Sequence, residues 1–180
     1  METILFIDYD DILHYTTISG NIDVFKINPH IYNSQILYLE PILGSDLYDK
    51  IKNLISGNTM TSILNPNYYT LLTSYIIPSV VFHTMELFIP FNSFEIADGG
   101  MSQHNPSNAS YSPFDDIDRI VAKYRTIGTK YDDKLSKFLC ENSELFPEYT
   151  SNTGLVDKTE TTIKTGWWLG TSNIKPIRKF

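Results

Sequence analysis

The chain has 180 residues, of which 42% are hydrophobic and 19% are charged, and its formal net charge is -7. This composition is typical of a soluble globular protein of one domain, or of one domain with an extension. The negative charge argues against a general nucleic-acid-binding protein. The single cysteine, Cys140, excludes an internal disulfide and a cysteine-based zinc cluster.

The first residues predict a short strand-like start, residues 4–7, followed by a helical turn from Tyr9 to His14. Asp8, Asp10 and Asp11 lie at the N-terminus of that turn, where the helix dipole favours negative charge. A calcium loop would need a glycine at its sixth position and a glutamate at its twelfth, and both are missing. We therefore expect these acids to cap a helix rather than to bind a metal.

Hydrophobic periodicity predicts three helices before residue 90. The first is expected from Pro29 to about Glu40, and the second from Ser45 to about Gly57. The third, from about Pro66 to Ile89, is apolar on nearly every side, which predicts the central helix of its domain. Pro78 should kink this helix. Because polar residues and Pro78 divide its apolar stretch, a buried core helix is favoured over a membrane span.

A fourth long helix is predicted from Asp115 to about Glu144. Acids at its first turn suit a helix N-terminus. Gly128 is a candidate break in it, and Pro147 is expected to close it.

Residues 90–113, between the third and fourth helices, have no helical or strand period. Long loops of this kind in compact domains are often functional. We expect the loop to be an interaction element that becomes ordered in an assembly, with Met101, Tyr111 and Phe114 as anchors. A simple connector is the alternative.

The chain changes character after residue 150, which divides it into a helical domain, 1–150, and an extended, partly β C-terminal arm, 151–180. Residues 1–154 carry 9 Lys or Arg and 19 Asp or Glu, whereas residues 155–180 carry 5 and 2. Residues 159–168 favour extended structure. We predict that this arm binds another subunit or a second protein, and the alternative is that it folds back over its own helices. The interface residues of the arm are Trp167, Trp168, Lys175, Ile177, Arg178 and Phe180.

No catalytic motif stands out, since G-x-S-x-G, H-E-x-x-H and C-x-x-C are all missing. His83 and Glu86 resemble half of a di-metal site, but the second Glu-x-x-His pair such a site needs does not occur. We therefore expect His83 to be a hydrogen-bonded buried histidine and Cys140 to be a packing thiol. The sequence predicts no catalytic residue, no metal and no cofactor, and thus a protein that is not an enzyme.

Residues 39–48 read Leu-Glu-Pro-Ile-Leu-Gly-Ser-Asp-Leu-Tyr. This segment resembles small helical head-to-tail connector (adaptor) proteins of tailed bacteriophages, especially those of phages that infect Bacteroides and of the crAss-like group. Residues 15–23 and the Tyr75–Pro78 turn fit the same kind of protein. The resemblance covers roughly residues 8–149 and leaves out the arm.

The resemblance implies a mainly α-helical bundle that is a structural virion protein of the head–tail junction. Such a protein forms a ring below the portal, continues the DNA channel and joins the capsid to the tail. It implies a homo-oligomeric, dodecameric ring that contacts the portal protein and other neck or tail ring proteins and has no membrane partner. Genomic DNA passes through the channel without specific binding, and the ring is assembled in the host cytoplasm. The alternative is a small helical protein-binding or regulatory module with a basic docking tail.

Overall fold

A computed structural model describes residues 3–18, 22–92, 94–97, 100–103 and 114–150 of the chain. Within these residues the protein is mainly helical, as predicted. The elements are α1 (Tyr9–Tyr15), α2 (Val24–Ser34), a π-helical turn (Gln35–Leu39), α3 (Glu40–Leu43), α4 (Ser45–Ser56), α5 (Pro66–Leu71), a second π-helical turn (Leu72–Ile76), α6 (Ile77–Asn92), β1 (Phe94–Ala97), β2 (Gly100–Gln103), α7 (Phe114–Glu141), a 3-10 turn (Ser143–Leu145) and α8 (Pro147–Thr150).

The N-terminal acids cap α1, as the sequence predicts. Asp8 is the N-cap: its Oδ1 accepts from the Asp11 backbone N–H at 3.0 Å, and Asp11 Oδ2 accepts from the Asp8 backbone N–H at 3.1 Å. The strand-like start is wrong, because residues 4–7 pair with no strand among the described residues. Instead the backbone N–H of Phe6 donates to the buried side chain of Gln35 at 2.8 Å.

The helix expected to begin at Pro29 begins earlier, at Val24. The carboxylate of Asp23 accepts from the Phe25 backbone N–H at 2.9 Å and so supplies the N-cap. Pro29 is the sixth residue of α2, so its missing N–H removes the helical bond to the Phe25 carbonyl.

Pro41, just after the expected end of the first predicted helix, and Pro78, which is expected to kink the third, each follow a π-helical turn. The carbonyls four residues before Pro41 and Pro78 belong to Leu37 and Ser74, and both lie inside the π-helical turns. A proline ring clashes with that carbonyl in a regular α-helix. The wider π-turn relieves the clash, so helical backbone continues past Pro41 to Leu43 and past Pro78 to Asn92.

The long apolar helix lies at the centre, as predicted. It runs from Pro66 to Asn92, and α6 packs against both α2 and α7. It is the one helix among the described residues that is long and apolar enough to cross a membrane, and 61% of its most apolar window is buried inside the protein. A core helix passes the same test of length and composition.

Three sequence predictions between residues 90 and 150 need correction. The segment 90–113 is not without regular structure, because α6 extends to Asn92 and β1 pairs with β2 as an antiparallel hairpin. Gly128 is not a break, since α7 runs unbroken through it. Pro147 does not close the long helix, which ends at Glu141, but begins α8.

Candidate functional site: a buried ionic cluster around His83

His83 lies in the middle of α6, and its side chain is only 2% exposed. Its Nδ1 is 3.0 Å from Glu86 Oε2, one turn further along the same helix. Its Nε2 is 2.8 Å from Asp132 Oδ2 on α7. Both ring nitrogens therefore face a carboxylate, which confirms the prediction of a hydrogen-bonded buried histidine.

A second layer of donors surrounds the two carboxylates. The Ser79 hydroxyl donates to Asp132 Oδ1 at 2.5 Å, and Arg125 Nε donates to Glu86 Oε1 at 2.6 Å. The Tyr38 hydroxyl donates to the same Glu86 oxygen at 3.2 Å. Among the described residues no buried side-chain nitrogen or oxygen is left without a hydrogen bond, so the cluster is fully satisfied.

The His83 ring is also packed closely by Tyr38 and Gly128. The Tyr38 ring stacks on one face, with centroids 3.9 Å apart and an interplanar angle of 5°. Gly128 lies against the ring: a Cβ there would come within 2.8 Å of His83 Cε1 and 2.9 Å of Nε2. Contacts under 3.0 Å do not occur for real Cβ atoms, so α7 needs glycine at this position to approach α6.

The geometry favours the imidazolium form of His83. A carboxylate oxygen only accepts hydrogen bonds, so two carboxylate partners are satisfied together only when both ring nitrogens carry a proton. Burial acts most strongly on the pKa of His83 and lowers it. The hydrogen bonds and charges of Asp132 and Glu86 together outweigh burial, and the pKa is raised above its usual 6.5.

The cluster joins three elements of the fold. The carboxylates lie at opposite edges of one ring, and within the described residues no group of three His, Cys, Asp or Glu side chains could hold a metal ion. The Ser79 hydroxyl is bound to Asp132 and not to His83, so the serine has no histidine base. The cluster instead connects α6 to α7, through Asp132 and Arg125, and to the first π-helical turn, through Tyr38.

Sequence reasoning found His83 and Glu86 but missed Asp132, Arg125 and Gly128, which come from α7. The available signal was Gly128. A glycine inside a strongly periodic helix usually has a packing reason, whereas the sequence analysis took it as a break.

Of the predicted interface residues, only Met101 and Phe114 are among the residues that the structure describes. Met101 lies in β2 and Phe114 is the first residue of α7, so the structure assigns them to two separate elements. Tyr111 and the whole 151–180 arm, with Trp167, Trp168, Lys175, Ile177, Arg178 and Phe180, lie outside the described residues. Cys140 is exposed, which corrects the expectation of a packing thiol, and its Sγ lies 3.8 Å from the Tyr149 hydroxyl.

The described surface also carries a depression near the N-terminus. A shallow groove runs between the N-terminal residues and α2, and we call it the Phe25 groove. Phe25 itself is 84% exposed. The groove is lined by Thr3, Leu5, Phe25, Asn28, Pro29 and Tyr32.

Residues 39–159 match DUF6712, a family of unknown function, which is about two thirds of the chain. The chain belongs to this family. The matched span contains His83, Glu86, Arg125, Gly128 and Asp132, whereas the Phe25 groove lies outside it. No curated protein and no solved structure matches the chain significantly.

Proposed function

We propose that the protein is a structural virion component that forms a ring at the head–tail junction of a tailed phage, below the portal, and that it is not an enzyme. The observation that carries the proposal is the segment of residues 39–48, through which the chain resembles phage connector proteins. In this proposal the ring is dodecameric, continues the DNA channel and joins capsid to tail.

The residues of that segment form a buried turn between two helices. This structural role supports interpreting the resemblance as a similarity of fold. Gly44 has φ 76° and ψ 158°, a backbone conformation that favours glycine, and it separates α3 from α4. Leu39, Leu43 and Leu47 around it are fully buried. The hydroxyl of Tyr48 accepts a hydrogen bond from Gln35 Nε2 at 3.3 Å.

The surface supports assembly of copies. A ring needs a heterologous interface, in which one patch meets a different patch of the neighbouring copy. Large apolar side chains are exposed on separate elements: Phe25 on α2, Ile63 in the α4–α5 connection, at 89%, and Phe91 near the end of α6. The acidic domain also suits a channel that DNA crosses without specific binding.

The 151–180 arm belongs to this proposal. Its excess of Lys and Arg is opposite in sign to the 1–150 domain, which favours docking on another acidic subunit. Trp167 and Trp168 are the residue type that most often anchors protein interfaces. We propose that the arm leaves its own domain and, with the 90–113 segment, contacts a neighbouring subunit, the portal or a second neck protein.

The same charge asymmetry would also serve a small helical binding or regulatory module with a basic docking tail. The two functions differ in where the protein is found. Mass spectrometry of purified particles should detect the chain at a low copy number, comparable to that of the portal. Its absence from particles that contain full-length portal would refute the connector function and leave the binding module.

A further inference from the structure

The Phe25 groove exposes aromatic surface that no described part of the chain covers. Phe25 is 84% exposed, and Val24 and Tyr32 beside it are 43% and 44% exposed. Removal of such side chains from water favours association. A segment that covers the groove therefore needs apolar or aromatic side chains of its own.

The chain around the groove is acidic. Residues 3–34 contain Asp8, Asp10, Asp11 and Asp23, and their single Lys or Arg is Lys26. The carboxylate of Asp23 caps α2 two residues before Phe25, so negative charge lies at the groove itself. Residues 155–180 supply the complement, since they combine five Lys or Arg and two acids with Trp167 and Trp168.

The groove and the point where the chain leaves the described domain lie at opposite ends of the bundle. α2, with the π-helical turn that follows it, and α6 run antiparallel, because Tyr38, Ser34 and His30 contact His83, Thr84 and Phe88, respectively. The start of α2, with Phe25, thus lies toward the Phe91 end of the central helix.

At the other end, Glu148 of α8 accepts a hydrogen bond from the Tyr68 hydroxyl at 2.7 Å. Tyr68 and Phe91 are 23 residues apart on the central helix, which corresponds to about 35 Å at 1.5 Å per residue. The arm therefore begins at one end of each copy and the groove lies at the other. The arm and the groove are thus different patches of the molecule, as in a heterologous contact between copies.

We propose that the Phe25 groove of one copy binds the 151–180 segment of a second copy, with Trp167 and Trp168 on the aromatic surface and the basic residues toward the acids. This inference rests on the proposed ring and specifies the contact that links its subunits. The reach is sufficient, because the 17 residues from Thr150 to Trp167 span at most roughly 60 Å when extended.

Disulfide trapping between two full-length copies tests the contact. Both copies carry Cys140→Ser, which removes the exposed native thiol. One copy adds Asn28→Cys in the groove, and the other adds Gly166→Cys beside the tryptophans, so the anchors themselves are kept. Differently tagged copies are mixed and oxidised, and the mixed disulfide is measured. The control copy carries Asn53→Cys, the same substitution at an exposed position of α4 outside the groove.

We expect at least tenfold more mixed disulfide from Asn28→Cys than from Asn53→Cys, and a decrease at high salt because the two segments are opposite in charge. Phe25→Asp in the groove copy should reduce the yield to the control level. Disulfide trapping accumulates even a weak contact, so a real contact should exceed the control. Equal yields of mixed disulfide from the groove and control variants at every protein concentration would overturn the proposal.

A single chain that carries both Asn28→Cys and Gly166→Cys tests whether the arm of the same chain occupies the groove instead. A predominantly intramolecular disulfide, unchanged by dilution, would show that the arm covers its own groove and would overturn the contact between copies. The contact and the proposed function can fail independently. Disulfide trapping without incorporation of the protein into particles refutes the virion assignment alone, and incorporation without trapping refutes this contact alone.

Discussion

Two histidines of this protein contact the same central region of the fold and differ in almost everything else. His83 of α6 is held between the carboxylates of Glu86 and Asp132. His30 of α2 packs against the aromatic rings of Phe88 and Phe91, at centroid distances of 5.6 Å and 5.3 Å. The carboxylates raise the pKa of His83 against the effect of burial, whereas burial alone lowers the pKa of His30.

The comparison shows that one helix, α6, makes two kinds of contact. At His83 the contact with α7 is ionic, and it needs atoms from three elements at hydrogen-bond distances. At His30 the contact with α2 is aromatic, and ring packing tolerates a range of distances and angles. We therefore expect the ionic cluster to fix how α7 is aligned on α6, a role for which buried polar groups are known.

Removal of Glu86 should give the largest effect. In Glu86→Ala the buried His83 Nδ1–H and the Arg125 guanidinium lose their shared acceptor. Removal of one partner from a buried ion pair typically costs about 3–5 kcal/mol of unfolding free energy. Chemical denaturation measures this loss. Glu86→Gln keeps the shape and removes the charge, so a loss below about 1 kcal/mol in both variants would contradict an ionic contact.

Gly128→Ala should be destabilising although alanine is the better helix former. The substitution gains about 1 kcal/mol of helix propensity, but the new Cβ would lie 2.8 Å from His83 Cε1. Overpacking of this kind costs about 1–3 kcal/mol, and displacement of the ring would add the loss of its hydrogen bonds. Lys130→Ala, at an exposed position of the same helix, is the matched control and should change stability by less than about 0.5 kcal/mol. A stabilised Gly128→Ala protein would mean that His83 does not pack on this glycine.

The two histidines should affect stability in different pH ranges. Because the folded pKa of His83 is raised, its contribution is fully present below about pH 6.5 and is lost as the pH rises through the folded value. Because the folded pKa of His30 is lowered, its contribution is present above about pH 6.5 and is lost as the pH falls. The difference in unfolding free energy between the native chain and His83→Gln should therefore decrease above pH 6.5. The same difference for His30→Gln should decrease below pH 6.5, and identical profiles would contradict the comparison.

The apolar packing of the fold could be predicted from the sequence, because the helical period places four residues on the faces that are buried: Leu47, Ile51, Leu135 and Leu139. The ionic cluster around His83 could not be predicted in this way. Asp132 is 49 residues away from His83, and it lies among exposed charges that look like a solvated helix surface. Only the contact between α6 and α7 turns that carboxylate into a histidine partner.

The predicted helix end before Pro41 was wrong for a related reason. Whether Pro41 ends a helix depends on whether the preceding turn widens, and the local sequence carries no periodic mark of a π-turn. The sequence alone also gives no indication of which surface would receive the arm, because the groove combines residues 3–5 with α2 through tertiary packing.

The most direct test is a titration of the histidine ring nitrogens by NMR in the native chain, with His83→Gln and His30→Gln used for assignment. We expect His83 to titrate above pH 6.5, with both ring nitrogens protonated below its raised pKa. In the same spectra His30 should titrate below 6.5. A His83 that titrates at or below pH 6.5, or below His30, would contradict the ionic contact between α6 and α7.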